Sequence, residues 1–288
     1  MAKYTIREIA ELAGVSAASV SRILSGQAEK YRISQATVDK VMEQARKLDY
    51  QPNYLAQALN TRRTWTIGMV FANTIDSFLG SMMEGAEEEF RDTEYLMSVA
   101  TCENTPLVEE KALRRFSHRQ VDGVIIYPSA VPVSLKKASR AAEAPLAAAP
   151  AGLPPCVVIG RDNNFNSDKF LFDDEKAGEI AAKDFLKAGA KTFGMVTLPV
   201  DCSANKGRLD SFKRTLLSAG VEESKIILCG ARREPWLEPL DALAKADAIF
   251  GVNASTLVKS ALALSKLRSV GSLLFWTLGS IEFPSELS

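Results

Sequence analysis

The sequence predicts an N-terminal all-α head of the helix-turn-helix type, followed by an α/β body of two Rossmann-like subdomains. Two patterns carry this prediction: the spacing of a small residue, a glycine and an apolar residue near the N-terminus, and an alternation of strand-like and helical segments after Thr64. The expected domains are 1–50 for the head, 51–63 for a hinge helix or linker, and 64–288 for the body, with subdomains of about 64–160 and 161–288.

The helix-turn-helix prediction rests on Ala10, Gly14 and Val20. Ala10 is small enough for two helices to cross closely, and Gly14 stands where a tight turn needs a positive φ. Val20 faces back onto the first helix, and Ser16 caps the second, which lies in the major groove of DNA in this motif. The alternative is an ordinary helical hairpin.

A third helix is expected to complete the head. Ser34 is a plausible N-cap for it, and the apolar residues after Ser34 recur with helical spacing up to Leu48. The loop 26–32 carries Lys30 and Arg32, which are either phosphate contacts or part of a solvated loop.

The hinge is predicted to contain a short helix over 54–60, capped by Asn53. A helix this short has little stability alone, so we expect DNA and a partner copy to order it. The alternative is a simple linker turn.

In the body, strand-like and helical runs alternate, which is typical of parallel sheets covered by helices. Ligands bind such sheets at the carboxyl ends of the strands, so a cleft is expected between the two subdomains. The predicted strands are Trp65–Ala72, Tyr95–Ala100, Asp122–Tyr127, Cys156–Gly160, Thr192–Thr197, Lys225–Cys229 and Ala248–Val252, and the predicted helices are 77–91, 106–118, 132–143 and 174–189.

Charge and composition narrow the function classes. Residues 1–63 hold ten Lys and Arg against six Asp and Glu, whereas residues 64–288 hold 25 against 29, so a basic head precedes a mildly acidic body. This modest difference in charge favours a head that binds the phosphates of a nucleic acid. No apolar run is long enough to span a membrane, the N-terminus does not resemble a signal peptide, and the four cysteines are far apart, which together predict a cytoplasmic protein.

The sequence predicts neither an enzyme active site nor a metal-binding site. A single histidine, His118, cannot build a histidine-based metal site, and the cysteines contain no Cys-x-x-Cys pair. Neither a Gly-x-Ser-x-Gly motif nor a phosphate-binding P-loop occurs. We therefore predict no catalytic residues, no metal and no cofactor.

Three segments together resemble the LacI-type (lactose-repressor-like) family of bacterial transcription regulators: Thr5–Leu24, the Tyr50-x-Pro-Asn53 step, and Leu55–Leu59. The resemblance implies a homodimer that binds near-palindromic double-stranded operator DNA. It also implies that two hinge helices pair in the minor groove, where Leu59 wedges into the central base step. An apolar wedge of this kind unstacks the step and kinks the duplex.

The resemblance also implies which residues of the head meet DNA. Positions 17, 18 and 22 match base-contacting positions, and Arg22 has the donors to bond a guanine bidentately, whereas Ala17 and Ala18 offer only methyl contact. Serine and threonine hydroxyls suit phosphates, with capping as the alternative. The candidate DNA-binding residues are Thr5, Ser16, Ala17, Ala18, Ser21, Arg22, Ser34, Asn53 and Leu59.

For the body, the resemblance implies a fold similar to periplasmic sugar-binding proteins, closing around a small-molecule effector such as a sugar or a related metabolite. The candidate effector-binding residues are Phe78, Arg208 and Asn253. Arg208 has an alternative as a surface ion pair at a helix start, and Asn253 has one as a helix cap.

Several positions depart from the family pattern. Ala254, Gly160 and Ser280 stand where the family usually has aspartates, which puts a standard sugar effector in doubt. The resemblance further implies a segment beyond Ser288 that crosses back into the first subdomain, so we expect a shortened C-terminus.

These patterns predict a sequence-specific DNA-binding regulator, with repression favoured over activation by family habit. The alternatives are a small-molecule binding protein with a degenerate, effector-independent regulatory role, and an enzyme that uses the cleft. The head and hinge argue against the former, and the lack of a nucleophile and base set argues against the latter.

Overall fold

The computed structural model forms two compact units, which divide after Trp65. The residues it describes are 4–50, 54–72, 77–132, 149–163, 165–197, 200–230, 240–267 and 270–278.

The first unit is all-helical, with a small apolar core inside its first three helices. Ile9 and Ala13 of the first helix, Val20 of the second and Val41 of the third are fully buried in this core. Gly14 has φ 67°, the left-handed conformation that glycine adopts without a steric penalty. The predicted helix-turn-helix and third helix are thereby confirmed. The helices are α1 (Ile6–Ala13), α2 (Ala17–Leu24), α3 (Gln35–Lys47) and α4 (Tyr54–Thr61).

The first subdomain of the body is a parallel five-stranded sheet in the order β2-β1-β3-β5-β6. Gly68 on β1 makes room for a helix, because a Cβ added there would lie 2.7 Å from Cδ2 of Phe116. The elements are β1 (Thr66–Phe71), α5 (Ser77–Phe90), β2 (Leu96–Thr101), α6 (Pro106–His118), β3 (Gly123–Ile126), β4 (Val131–Pro132), β5 (Cys156–Ile159) and β6 (Asp168–Phe170).

The second subdomain is a parallel four-stranded sheet in the order β11-β10-β7-β9. The rings of Phe212 and Phe250 stack at 4.7 Å in its core. The elements are α7 (Asp174–Lys187), β7 (Phe193–Val196), β8 (Val200–Asp201), α8 (Ser203–Ser218), a 3-10 turn (Glu223–Lys225), β9 (Ile226–Cys229), α9 (Leu240–Leu243), β10 (Ala248–Gly251), α10 (Ala254–Ser265) and β11 (Leu274–Thr277).

Two contacts join the subdomains near the carboxyl ends of their strands. The short strands β4 and β8, which follow β3 and β7, pair antiparallel with Val131 opposite Asp201. The N–H of Asp162, just after β5, donates to Oγ of Ser203 at the start of α8, at 2.9 Å. The carboxyl ends of the strands, where ligands bind in such folds, are therefore close together in the two subdomains.

The predicted α/β alternation and all seven predicted strands are confirmed. The predicted helix 132–143 is wrong at its first residue, since Pro132 pairs in β4, and the rest of that segment lies outside the described residues. The strands β4, β6, β8 and β11 were not predicted. The first three have only two or three residues, which carry too little pattern. Among the helices of the described ranges, none is long and apolar enough to cross a membrane.

Candidate nucleic-acid interface and effector site

Helix α2 presents one face to the core and the opposite face to solvent. Val20 and Ile23 are buried, while Ala17, Ala18 and Arg22 are exposed. The N-cap Ser16 accepts the N–H of Ser19 at 3.1 Å, which fixes where the helix begins. The three positions that the resemblance implies for base contact therefore lie together on the exposed side.

The candidate phosphate-binding hydroxyls all lie at helix starts, apart from Ser21. Thr5 caps α1, accepting the N–H of Glu8 at 3.4 Å in a capping box, and Ser34 caps α3, accepting the N–H of Thr37 at 3.4 Å. Ser16 caps α2 in the same way. The side-chain oxygens of Thr5, Ser16 and Ser34 therefore act as helix caps, which was the alternative to phosphate contact. Their contact with phosphates stays a prediction. The Thr5 hydroxyl already donates to Oε2 of Glu8 at 2.9 Å, so a phosphate would have to replace that bond.

An aromatic ring that sequence reasoning did not select lies beside Arg22. The guanidinium carbon of Arg22 is 4.0 Å from the ring centroid of Tyr31, and Nζ of Lys30 is 5.9 Å from the same centroid. Both Arg22 and Tyr31 are exposed. The available signal was an aromatic residue flanked by two basic ones in the loop after α2.

The hinge segment is helical in the single chain, although DNA was expected to be needed to order it. Its last turn is closed by Thr61, whose hydroxyl donates to the carbonyl of Gln57 at 2.9 Å and whose Oγ1 accepts the N–H of Arg63 at 3.3 Å. Leu59 on this helix is 82% exposed. An apolar side chain so fully in water is available to another molecule. Asn53 lies outside the described residues.

In the first subdomain, Arg161 gathers polar groups at the carboxyl ends of the strands. Its Nη1 donates to Oδ1 of Asn104 at 2.9 Å and to the carbonyl of Pro128 at 3.0 Å, and its guanidinium lies 4.4 Å from the ring centroid of Tyr127. Oδ1 of Asn104 also accepts the N–H of Ala130. Arg161 was not selected by sequence analysis.

A buried carboxylate supports the same strand ends. Glu109 on α6 accepts the N–H of Ser129 through Oε2, and the Ser129 hydroxyl lies 3.2 Å from Sγ of Cys102. Burial raises the pKa of Glu109, against the opposing effects of the Ser129 bonds and Arg161. Burial likewise raises the pKa of Cys102, whose thiol donates to the carbonyl of Phe71 at 3.2 Å.

In the second subdomain, Arg208 is already engaged inside the fold. It is 9% exposed, and its Nε donates to Oδ1 of Asp174 at 2.7 Å, while Nη1 donates to the carbonyl of Val252. The ion pair is therefore buried, unlike the surface ion pair considered as the alternative. Burial raises the pKa of Asp174, and Arg208 opposes that rise.

Asn253 caps α10. Its Oδ1 accepts the N–H of Thr256 at 2.8 Å, and the Thr256 hydroxyl lies 3.3 Å from the N–H of Asn253, which completes a capping box. The capping alternative is therefore present, and ligand contact through the amide stays a prediction. Phe78 lies in α5, and its side chain is outside the described residues.

The side chains of the described ranges include no cluster of three or more His, Cys, Asp or Glu that could hold a metal ion. The four cysteines are free thiols.

Residues 5–53 match the family described as "Bacterial regulatory proteins, lacI family". The ribose operon repressor of Haemophilus influenzae is 28% identical over 217 residues, which are 75% of this chain and 61% of that protein. The catabolite repressor/activator of Escherichia coli is 35% identical over 125 residues, which are 43% of this chain and 37% of that protein. The chain thus spans about three-fifths of the length of the ribose operon repressor.

The crystal structure of the lac repressor dimer bound to operator and the anti-inducer ONPF has a similar fold. Its TM-score is 0.69 at 17% identity, over 94% of this chain and 81% of that one. Together the head and the two parallel sheets define a helix-turn-helix protein with an α/β body like that of periplasmic binding proteins. Residues 5–53 are therefore similar to the lacI family of bacterial regulatory proteins, and the chain shares the fold of the lac repressor.

Proposed function

We propose that this protein is a sequence-specific transcription regulator, most simply a repressor, that binds near-palindromic double-stranded operator DNA as a homodimer in the bacterial cytoplasm. The observation that carries the proposal is the exposed face of α2, where Arg22 stands beside two alanines on a helix fixed by its cap and its core residues. Two alanines leave room for the helix to approach the base edges, and Arg22 supplies the donors that distinguish guanine.

The names of the relatives and the operator-bound lac repressor dimer support this proposal. One recognition helix per subunit reads one half-site, so a two-fold dimer reads an inverted repeat. The proposal also places the domain boundaries near 50 and 63, with the hinge helix between the head and the body.

Selection from a random DNA pool with the full chain tests the proposal. Inverted half-sites should be recovered, and single unpaired half-sites would contradict the dimer. In the selected operator, Arg22→Ala should cost about 1–3 kcal/mol and relax the preference at one base pair per half-site. The matched control is Lys30→Ala, which should weaken all sequences alike and lower the salt dependence. An unchanged ranking of operators in Arg22→Ala would contradict the base-reading role.

We further propose that an effector binds at the strand carboxyl ends of the body, with Arg208 and Asn253 in the second subdomain and Phe78 in the first. An arginine fork suits hydroxyls or a carboxylate, and an asparagine amide offers both a donor and an acceptor. The guanidinium of Arg161, bonded to Asn104 and to the carbonyl of Pro128, lies at the strand ends of the first sheet and supports a polar site there. The engagement of Arg208 with Asp174 favours the alternative, a regulator that has lost its effector.

A thermal-shift screen of sugars, sugar acids, nucleosides and phosphorylated metabolites distinguishes the two, because a ligand that binds the folded state raises the melting temperature. The informative variant is Asn253→Ser, since serine keeps the N-cap of α10 and removes the amide. A hit that disappears in this variant supports the site. A hit that persists contradicts the role of Asn253, and no hit at all supports an effector-independent regulator.

A further inference from the structure

We propose that Tyr31 is a positioning residue for DNA recognition, which holds the guanidinium of Arg22 by stacking in the free protein so that its N–H donors are ready for a base edge. The proposal rests on the proposed function, in which Arg22 reads a base. The carrying observation is the distance of 4.0 Å from Cζ of Arg22 to the Tyr31 ring centroid.

The backbone fixes where the Tyr31 ring stands. The N–H of Gln27 donates to the carbonyl of Arg22 at 2.9 Å, and the N–H of Tyr31 donates to the carbonyl of Gln27 at 3.2 Å. A continuous chain of two hydrogen bonds therefore ties the backbone of Tyr31 to that of Arg22. The turn therefore brings the backbone of Tyr31 close to that of Arg22, so that the Tyr31 ring can reach the guanidinium.

The far end of the loop is anchored in the core of the head. The N–H of Ile33 donates to the carbonyl of Ala28 at 2.9 Å, and both side chains pack against the buried cluster of the first three helices. Arg32 has φ 54°, a left-handed conformation that reverses the chain before α3. With both ends of the loop anchored, Tyr31 lies on the surface beside Arg22 and is 43% exposed.

Stacking suits this task because of the shape of the guanidinium group. An arginine that lies on an aromatic face is bound through its flat side, and its N–H donors point outward in the plane of the group. The ring thus restricts the side chain without using the donors that a guanine needs. Binding to DNA then loses less side-chain freedom, which raises affinity through pre-organisation.

Lys30 is the natural comparison, because its ammonium is 5.9 Å from the same ring centroid and contributes charge rather than planar donors. An ammonium acts on phosphates as a point charge. Tyr31 should therefore affect which base is preferred, whereas Lys30 should affect how strongly any DNA is held.

The experiment uses the full chain, the selected operator and operators substituted at each half-site position. Tyr31→Ala should weaken the selected operator by about threefold to tenfold and flatten the preference at the base pair that Arg22→Ala also flattens. Tyr31→Phe keeps the ring and should bind like the parent. The salt dependence should not change in either variant, because no charge is removed. In an Arg22→Ala background, Tyr31→Ala should have no further effect.

A measurement without DNA separates this inference from the proposed function. In the free protein, the Nε–H resonance of Arg22 should show a ring-current shift that Tyr31→Phe keeps and Tyr31→Ala removes. Absence of that shift in the parent overturns the inference while leaving the proposed function standing. Equal weakening on all sequences, or a cost that persists without Arg22, also overturns it. If Arg22→Ala leaves every preference unchanged, the proposed base contact fails and the positioning role falls with it.

Discussion

Arg208 and Asp174 form a buried ion pair that ties α8 to the start of α7, with 2.7 Å between Nε and Oδ1. The same guanidinium donates to the carbonyl of Val252, just ahead of the cap of α10. Three elements of the second subdomain therefore meet on one side chain. Arg208, the candidate effector-binding residue, therefore also links separate segments of the second subdomain.

Arg208→Ala should lower the free energy of unfolding by about 3–5 kcal/mol, because it leaves the carboxylate of Asp174 buried without its partner. The single variants Asp174→Asn and Arg208→Met and their double variant form a cycle with the parent. The double variant removes both charges and should cost less than these two single changes together. Denaturant unfolding of the four proteins measures this coupling. Additive costs would show that the pair contributes nothing as a pair.

Gly178 on α7 marks the closest approach of α7 and α8. A Cβ added there would lie 2.9 Å from the backbone nitrogen of Phe212 and would also collide with the backbone of Arg208. Gly178→Ala should therefore destabilise the body by about 1–3 kcal/mol or more, despite the better helix propensity of alanine.

Gly85 is the matched control for this change, since it lies inside α5 and a Cβ there meets nothing within 4 Å. Gly85→Ala should be neutral or stabilising by up to about 1 kcal/mol, because only helix propensity changes. The melting temperature should fall in Gly178→Ala and should stay the same or rise in Gly85→Ala. Equal effects would contradict the close approach of the two helices.

Glu109 should make stability depend on pH, because its pKa in the folded state is raised above the ordinary 4.5 by burial. The folded state then keeps the proton to a higher pH than the unfolded state does. The free energy of unfolding should consequently fall as the pH rises from 4.5 through the folded pKa.

Glu109→Gln isolates this contribution, because a glutamine oxygen still accepts the N–H of Ser129 and carries no charge. The stability of the variant relative to the parent should rise with pH over the same window. Urea unfolding at a series of pH values measures the difference. A constant difference would show that the carboxylate is not proton-linked to folding.

Leu59 is expected to act only in the complex. Because its side chain is 82% exposed on α4, Leu59→Ala removes no packing and should leave the melting temperature of the free protein unchanged. Operator affinity and the DNA bend should both fall, since the variant lacks the apolar side chain that we propose as the wedge at the central step. Gel mobility of operator fragments measures the bend.

Leu12 on α1 serves as the control, because it is also an exposed leucine of the head, at 57%. Leu12→Ala should keep the bend. An unchanged bend together with unchanged affinity in Leu59→Ala would mean that α4 is only a linker.

Much of the site could be predicted from the sequence where local rules decide the outcome. The turn at Gly14 and the caps at Ser16 and Ser34 follow from the preferences of single residues, and each is present. The cap at Asn253 also follows from the preference of a single residue. It was the alternative to ligand binding in the sequence analysis.

The rest depended on contacts between segments far apart in the chain. The partner of Arg208 is 34 residues away, and Arg161 meets Asn104 across 57 residues. Tyr31 is near Arg22 in sequence, yet its stacking depends on a loop whose course no regular period predicts.

The order of the longer elements and the limits of the second helix of the head could be predicted from the sequence, because hydrophobic period, helix caps and turn glycines act over a few residues. The partner of each charged side chain depends on the tertiary fold. A guanidinium has donors for a ligand, a base or a carboxylate, and the fold determines which of these lies within hydrogen-bond distance. Arg208 was placed against Asp174 inside the body, and Arg22 was left on the surface beside Tyr31.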